Sequence, residues 1–328
     1  MASIARLAGV SSMTVSRAFK RDARINPDTR EAILRIADEL GYVVDTTAAS
    51  FRLRQSDFVA VTLPSLNNAN FADTVEGLSR VLATRDLQLL LGHTNYQAET
   101  EERLIEQMLG CQPRALVVTG GRHSERCRRL LRGSRVPVIE IWDVPAEPLG
   151  YHVGFSNARA LERLVDHAVA VGYRRLAFIG GEDARDSRGV ERRQGFRRAL
   201  ARHGLESHRL VPAGAPPIAM AEGARALALL LETWPDADLV VCVSDLCAFG
   251  ALSECQRRGI EVPGHLALAG FGNYEIGRLC VPALTTVDTQ ARLIGERTGR
   301  LILDLLDGAP EAASVVLEPG LVARASSR

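Results

Sequence analysis

Between residues 57 and 271 the chain repeats one pattern: a short apolar run of strand length, then an amphipathic stretch of helical length. That alternation points to an α/β class, with parallel strands joined by right-handed helical crossovers. The first run, Asp57 to Pro64, is apolar and β-branched, as a strand buried on both faces requires. Further runs stand at 87–91, 115–118 and 136–141, separated by helical patterns at 71–84, 100–109 and 125–131. After a join near Phe155 and Ser156 the alternation restarts, with strands at 176–179, 239–243 and 266–271 and helices near 158–171, 190–203, 219–232 and 245–258. Two amphipathic segments, Gly77 to Leu87 and Gly195 to Leu205, resemble each other, and each leads toward the next strand. The pattern therefore describes two doubly wound parallel-sheet halves of similar build, with a cleft between them.

Composition removes several classes. With 328 residues, 46% hydrophobic and 24% charged, the chain has the makeup of a soluble globular protein of about two domains. No segment reaches the ~20 apolar residues of a membrane helix, and Met1 to Arg6 lacks the apolar core of a secretory signal. Six cysteines suggest no disulfide scaffold, and Cys242, Cys247 and Cys255 lie in apolar runs at a spacing that suits no metal. The expectation is a reducing, cytoplasmic setting with no membrane contact, no metal and no cofactor.

Net charge is only +1, but it is unevenly spread. Residues 1–54 carry nine basic and six acidic side chains, a net of +3, leaving −2 on the remainder. A basic head on a near-neutral body suits an anionic partner for the head alone, although solvated Arg faces are common. The pattern of the head says more. Ile4, Ala5 and Ala8 recur at helical spacing, Gly9 supplies a turn, and Ser11 stands as N-cap of a second helix. On that helix Val15 and Phe19 share one face, while Ser12, Met13, Ser16 and Arg17 point elsewhere. Asn26, Pro27 and Asp28 open a third helix that carries Ile33, Ile36, Ala37 and Leu40 inward and stops at Gly41. Three short helices with a glycine turn between the first two describe a helix-turn-helix that can enter a major groove. An ordinary three-helix cap on an enzyme has the same periodicity.

The motif Ile-Ala-x-x-Ala-Gly-Val-Ser-x-x-Thr-Val-Ser-Arg over residues 4–17, followed by Thr29-Arg30 and Leu40-Gly41-Tyr42, resembles the lac repressor/galactose repressor family of transcription factors. The resemblance implies a helix-turn-helix head with a hinge helix (1–54, hinge 45–53) and a periplasmic-binding-protein-like body (57–328). Within the body it implies one half of about 57–155 and 288–312 and another of about 156–284 and 313–328. It also implies that Ser12 and Met13 read bases beside Arg17, and that Thr14, Ser16, Asn26 and Thr29 meet phosphates; Ser11 and Tyr42 join the DNA-contacting set. The partners implied are double-stranded operator DNA, a second copy of the chain and a small-molecule effector.

Three departures bear on the head. Family members carry further residues before Ile4, including a Thr N-cap and an Asp in the first turn, so the expectation here is a start codon placed too late. After Tyr42 the family has Pro and then Asn, where this chain has Val44 and Asp45. In the hinge helix, which contributes Ala48 and Phe51, the family inserts a Leu into the minor groove where Phe51 stands; Phe is also a competent wedge.

Ligands of such bodies bind at the carboxyl ends of the strands, which singles out Ser65, Asn67 and Phe71, His93 and Asn95, His123, Arg192, Asp245 and Asn273. Amides and carboxylates suit sugar hydroxyls, aromatics suit the apolar face of a sugar, and Arg grips a carboxylate or phosphate. Asn and Asp in loops also make turns and caps: Asp143 beside Pro145 is one case, and Asp245 stands where it could cap the next helix. Arg192, three residues before Gly195-Phe196, matches an Arg that the family places on its effector. Residues 63–66, 254–257 and 269–271 look closest to the gluconate-operon repressor branch, making a sugar acid such as gluconate the preferred effector.

No phosphate loop, Gly-x-Ser-x-Gly elbow or His-Glu-x-x-His pattern occurs, and Gly270, Gly272 and Gly277 are too loosely spaced for a dinucleotide fingerprint. Catalysis is therefore unsupported. Residues 310–328 carry no Leu heptad for a tetramer-forming coiled coil, which leaves a dimer. The sequence therefore points to an effector-controlled repressor. Its rivals are a sugar-acid-binding protein or an enzyme, neither of which would bind DNA.

Overall fold

The computed structural model describes residues 1–19, 24–42 and 56–327. The chain forms two compact units, Met1–Gln55 and Ser56–Arg328.

The first unit contains α1 (Ala2–Leu7), α2 (Ser12–Phe19) and α3 (Pro27–Glu39). Ile4, Val15, Ala18 and Ile33 are fully buried at its centre, with Ala5 and Ala37 beside them. Leu40, expected inward, is instead 49% exposed, because it stands at the C-cap of α3 beyond the last core-facing turn; the remaining small core suffices to set three helices. Gly9 makes the α1–α2 turn at φ +65°, a backbone conformation that side chains other than glycine resist. Asn26 caps α3, its Oδ1 accepting the Asp28 N–H at 2.8 Å, while Met1 makes no side-chain cap for α1. The expected hinge helix, with Ala48 and Phe51, lies outside the described residues.

The second unit opens with β1 (Phe58–Leu63), α4 (Ala69–Leu82), β2 (Gln88–His93), α5 (Ala98–Gly110), β3 (Leu116–Thr119), α6 (Glu125–Arg132), β4 (Val138–Ile141) and β5 (Tyr151–Gly154). It continues through α7 (Asn157–Val171), β6 (Leu176–Ile179), α8 (Ser187–Arg202), β7 (Leu210–Val211), α9 (Met220–Thr233), β8 (Leu239–Cys242), α10 (Asp245–Arg258), β9 (Ala267–Ala269) and α11 (Glu275–Leu279). The chain then returns through β10 (Thr286–Asp288), α12 (Ala291–Leu306), β11 (Val315–Val316) and β12 (Gly320–Val322).

Two parallel sheets result, one of six strands in the order β11-β5-β4-β3-β1-β2 and one of four in the order β7-β6-β8-β9. Strands β4, β6, β8 and β9 are buried along their whole length, as their apolar runs require. β10 and β12 form a separate antiparallel pair. α12 lies so close on α4 that a Cβ on Gly295 would sit 2.0 Å from the Thr74 carbonyl oxygen, which ties the returning chain to the first half. One expected boundary differs. The family resemblance implies a return to the second half at about residue 313, whereas Val315–Val316 pairs with β5 in the larger sheet. Two- to four-residue strands such as β5, β7 and β11 carry too little periodicity to be read from sequence.

Candidate functional site

Each unit presents one surface suited to recognition. In the first, α2 buries Val15 and Ala18 and exposes Ser12, Met13 and Arg17; Met13 is 64% exposed although apolar. Ser11 is exposed too, and its Oγ accepts the Thr14 N–H at 3.1 Å, so the helix starts at a fixed point. Arg30 Nε donates to the Ala18 carbonyl at 3.0 Å and fastens α3 to the end of α2. Thr14, Ser16 and Thr29 are half-buried, and Asn26 is exposed but occupied as a cap. Tyr42 turns toward the head's own core, its ring 6.2 Å from that of Phe19. What remains open is a short helix face with hydroxyls, a thioether and one guanidinium.

In the second unit a cavity of about 60 Å³ lies between the halves, lined from the carboxyl ends of β1, β2, β4, β6, β8 and β9. From the first half come Ser65, Asn67, Asn68, Asn70 and Phe71 after β1, Tyr96 after β2, and Trp142 after β4. The second half contributes Asp186, Arg188 and Arg192 around α8, Ser244 after β8, and Phe271 and Tyr274 after β9. The cavity shares Tyr96 and Arg188 with an outer one of about 300 Å³, whose lining includes Thr94, Arg122 and Ser124.

Two guanidiniums dominate it. Arg192 donates from Nε to Asn157 Oδ1 and from Nη1 to the Val243 carbonyl, each at 2.9 Å, and lies 4.0 Å over the ring of Phe271. Asn157 is fully buried and donates in turn to the Trp142 carbonyl at 3.1 Å, so Arg192 is positioned from both halves. Arg188 is 6% exposed, lies 5.2 Å over Phe71, and has Asp186 Oδ1 at 3.7 Å from its Nη2. Its buried Nη1 has no hydrogen-bond partner among the described residues. Burial lowers the Arg192 guanidinium from its ordinary range, with Arg188 acting in the same direction, and pushes the Tyr96 phenol up to about 12. Two cations share this cavity with one carboxylate, an arrangement that an anion would complete.

Of the residues expected at the effector site, Ser65, Asn67, Phe71 and Arg192 line this cavity. The others do not. His93, the last residue of β2, and Asn95 just beyond it are exposed. His123 turns to Glu101, with Nδ1 at 3.1 Å from Oε1. Asn273 accepts from Arg324 Nη2 at 2.6 Å. Asp245 is fully buried: its Oδ2 accepts the Tyr274 N–H at 2.7 Å and its Oδ1 the Thr286 hydroxyl at 2.6 Å. It holds the backbone of Tyr274, which lines the cavity. Arg188 was not singled out from sequence, although it stands four residues before Arg192 on one face of α8. Among the described residues no helix is long and apolar enough to cross a membrane.

Residues 1–45 match the family described as bacterial regulatory proteins, lacI family, and residues 165–327 match the periplasmic binding protein-like domain. The chain is 36% identical over 326 residues to the HTH-type transcriptional regulator GntR of Pseudomonas aeruginosa, which covers 99% of this chain and 94% of that one. It is 32% identical over 308 residues to the HTH-type transcriptional regulator IdnR of Escherichia coli strain K12, covering 92% and 90%. The crystal structure of a LacI-family transcriptional regulator from Silicibacter pomeroyi superposes with a TM-score of 0.92 at 32% identity, covering 98% and 97%.

Proposed function

The chain belongs to the lacI family of bacterial regulatory proteins, and from that premise we propose that it is a repressor whose operator affinity is set by a sugar acid in the body's cleft. It is a DNA-binding transcriptional regulator, of a family of regulators and not of enzymes. Arg188 Nη1, buried and unpartnered beside Arg192, carries the choice of an acid over a neutral sugar. The ligand's carboxylate meets the two guanidiniums, its hydroxyls meet Ser65, Asn67 and Ser244, and its carbon chain lies against Phe71 and Trp142. Gluconate has this chemistry.

The same reading makes Ser12, Met13 and Arg17 the base readers and places the protein in the cytoplasm with its operator. A second copy of the chain supplies the other half-site reader, since a twofold dimer matches a near-palindromic operator. Exposed Leu66, Leu90 and Leu91, around the edge strand β2, support a paired surface there. Effector and operator affinities are then coupled reciprocally, by about 1–3 kcal/mol.

Calorimetric titration of the purified protein with gluconate and with glucose tests the ligand class. Binding of gluconate but not glucose, lost in Arg188→Ala, is the expected result. Tighter binding of the neutral sugar, or an Arg188→Ala protein with unaltered gluconate affinity, contradicts it.

A further inference from the structure

We propose that Glu101, His123 and Cys127 form a binding site for one zinc-type divalent cation, outside the effector cavity. Glu101 lies in the first turn of α5, His123 in the loop after β3, and Cys127 in the first turn of α6. One ligand atom from each lies within 4.8 Å of the other two. The Cys127 side chain is fully buried, and those of His123 and Glu101 are 0% and 13% exposed.

Both imidazole nitrogens face acceptors: Nε2 is 3.2 Å from the Gly120 carbonyl oxygen, and Nδ1 is 3.1 and 3.2 Å from the two Glu101 carboxylate oxygens. A neutral ring has one N–H and can donate to only one of these partners. A divalent cation in place of a proton at Nδ1 joins the ring to Glu101 while Nε2–H keeps the Gly120 carbonyl. Those separations match the edge of a coordination shell with bonds of about 2.0–2.1 Å.

A second observation points the same way. Glu140, on β4, is fully buried; its Oε2 accepts the Leu149 N–H at 2.7 Å. Its Oε1 has no hydrogen-bond partner among the described residues and stands 3.7 Å from His123 Nε2. A carboxylate behind the far nitrogen of an imidazole is the arrangement that orients metal-bound histidines.

The donor set selects the metal. A thiolate, a carboxylate and a neutral imidazole together balance a 2+ charge, and mixed sulfur and nitrogen donors favour zinc over magnesium or calcium. A cavity of about 580 Å³ that His123 helps to line offers an entry path. The bound cation ties the end of β3 to the starts of α5 and α6. No short motif announces the site, because Glu101 stands 22 residues before His123.

The test uses the full chain carrying Cys111→Ser, which removes an exposed thiol, after treatment with a chelator. Cadmium is titrated while the thiolate-to-metal charge-transfer band is followed, and zinc binding is measured by calorimetry. One equivalent of cadmium should raise the band, and Cys127→Ser should abolish it. Glu101→Gln and His123→Ala should weaken zinc binding at least tenfold, and Glu140→Gln about tenfold, as for an outer-shell partner. Absence of the band at one equivalent, its survival in Cys127→Ser, or unchanged zinc affinity in Glu101→Gln and His123→Ala overturns the site. The cluster would then be hydrogen-bonded, with His123 doubly protonated. Should Cys127→Ser fail to fold, the intact chain and Glu101→Gln still decide.

Discussion

The phenol of Tyr274 donates to the side-chain carbonyl oxygen of Asn68 at 2.8 Å and joins the second half of the body to the first. Arg188 over Phe71 is a second bridge across the same cavity. Asp245 fixes Tyr274 from behind through the backbone N–H. These contacts hold the cleft narrow at the place a ligand would enter, so its occupant biases the balance between open and closed arrangements.

Tyr274→Phe removes only the bridging hydroxyl. Affinity for the sugar acid should fall about fivefold, the worth of about 1 kcal/mol for one hydrogen bond. Calorimetric titration reads this directly, and an unchanged dissociation constant would show that the bridge plays no part in holding the ligand.

Arg188→Met should separate ligand binding from stability. A buried guanidinium lacking full pairing is costly in the empty protein, so replacing it with an apolar side chain leaves the melting temperature unchanged or higher. Sugar-acid affinity should drop about 10–100-fold, as for the loss of a charge-assisted hydrogen bond. A large fall in melting temperature would mean that Arg188 serves the fold instead.

Stability should decline as pH rises through the weakly acidic range. Burial raises the Asp245 carboxyl to about 6, and it raises Glu191, with Asp143 adding to the effect, to about 7. Groups raised in the folded state hold protons that the unfolded chain has already released. Their contribution is therefore favourable at low pH and is lost as pH passes from the ordinary carboxyl range through these values. Asp245→Asn with Glu191→Gln should flatten melting temperature against pH between about 4 and 7.5. An equally steep decline in the double variant would refute the assignment.

Arg17→Ala tests the head. It is exposed on α2, so its loss should cost about 1–3 kcal/mol of specific operator binding and leave effector binding intact. Loss of both activities together would contradict the separation of the two units.

Much of this was legible in the chain itself. The helix-turn-helix could be read because apolar residues at helical spacing, among them Ile4, Val15 and Ile33, must meet to form any core in so short a segment. The strand–helix alternation located the cavity-lining loops, and Arg192 stood out through the family resemblance, as the match to an effector-binding Arg three residues before Gly195-Phe196. Arg188 was harder to see because Arg185, Arg188, Arg192, Arg193, Arg197 and Arg198 crowd one stretch, and only burial distinguishes Arg188 as a cavity residue. Asp245 and His123 sit at strand ends, as ligand-binding residues do, yet each side chain turns into the protein. Residue type and position do not encode that choice; the neighbours Thr286 and Glu101, 41 and 22 residues away in sequence, decide it.

Under the proposed function one molecule couples a DNA-reading head to a sensor of sugar acids. Fluorescence anisotropy of a labelled duplex from upstream of its own gene, titrated with the protein with and without gluconate, measures that coupling. A shift of operator affinity by about 5–150-fold, mirrored by the same factor in gluconate affinity when the duplex is present, is the predicted result. Tight operator binding that saturating gluconate leaves unmoved, in a protein shown to bind gluconate, would contradict it.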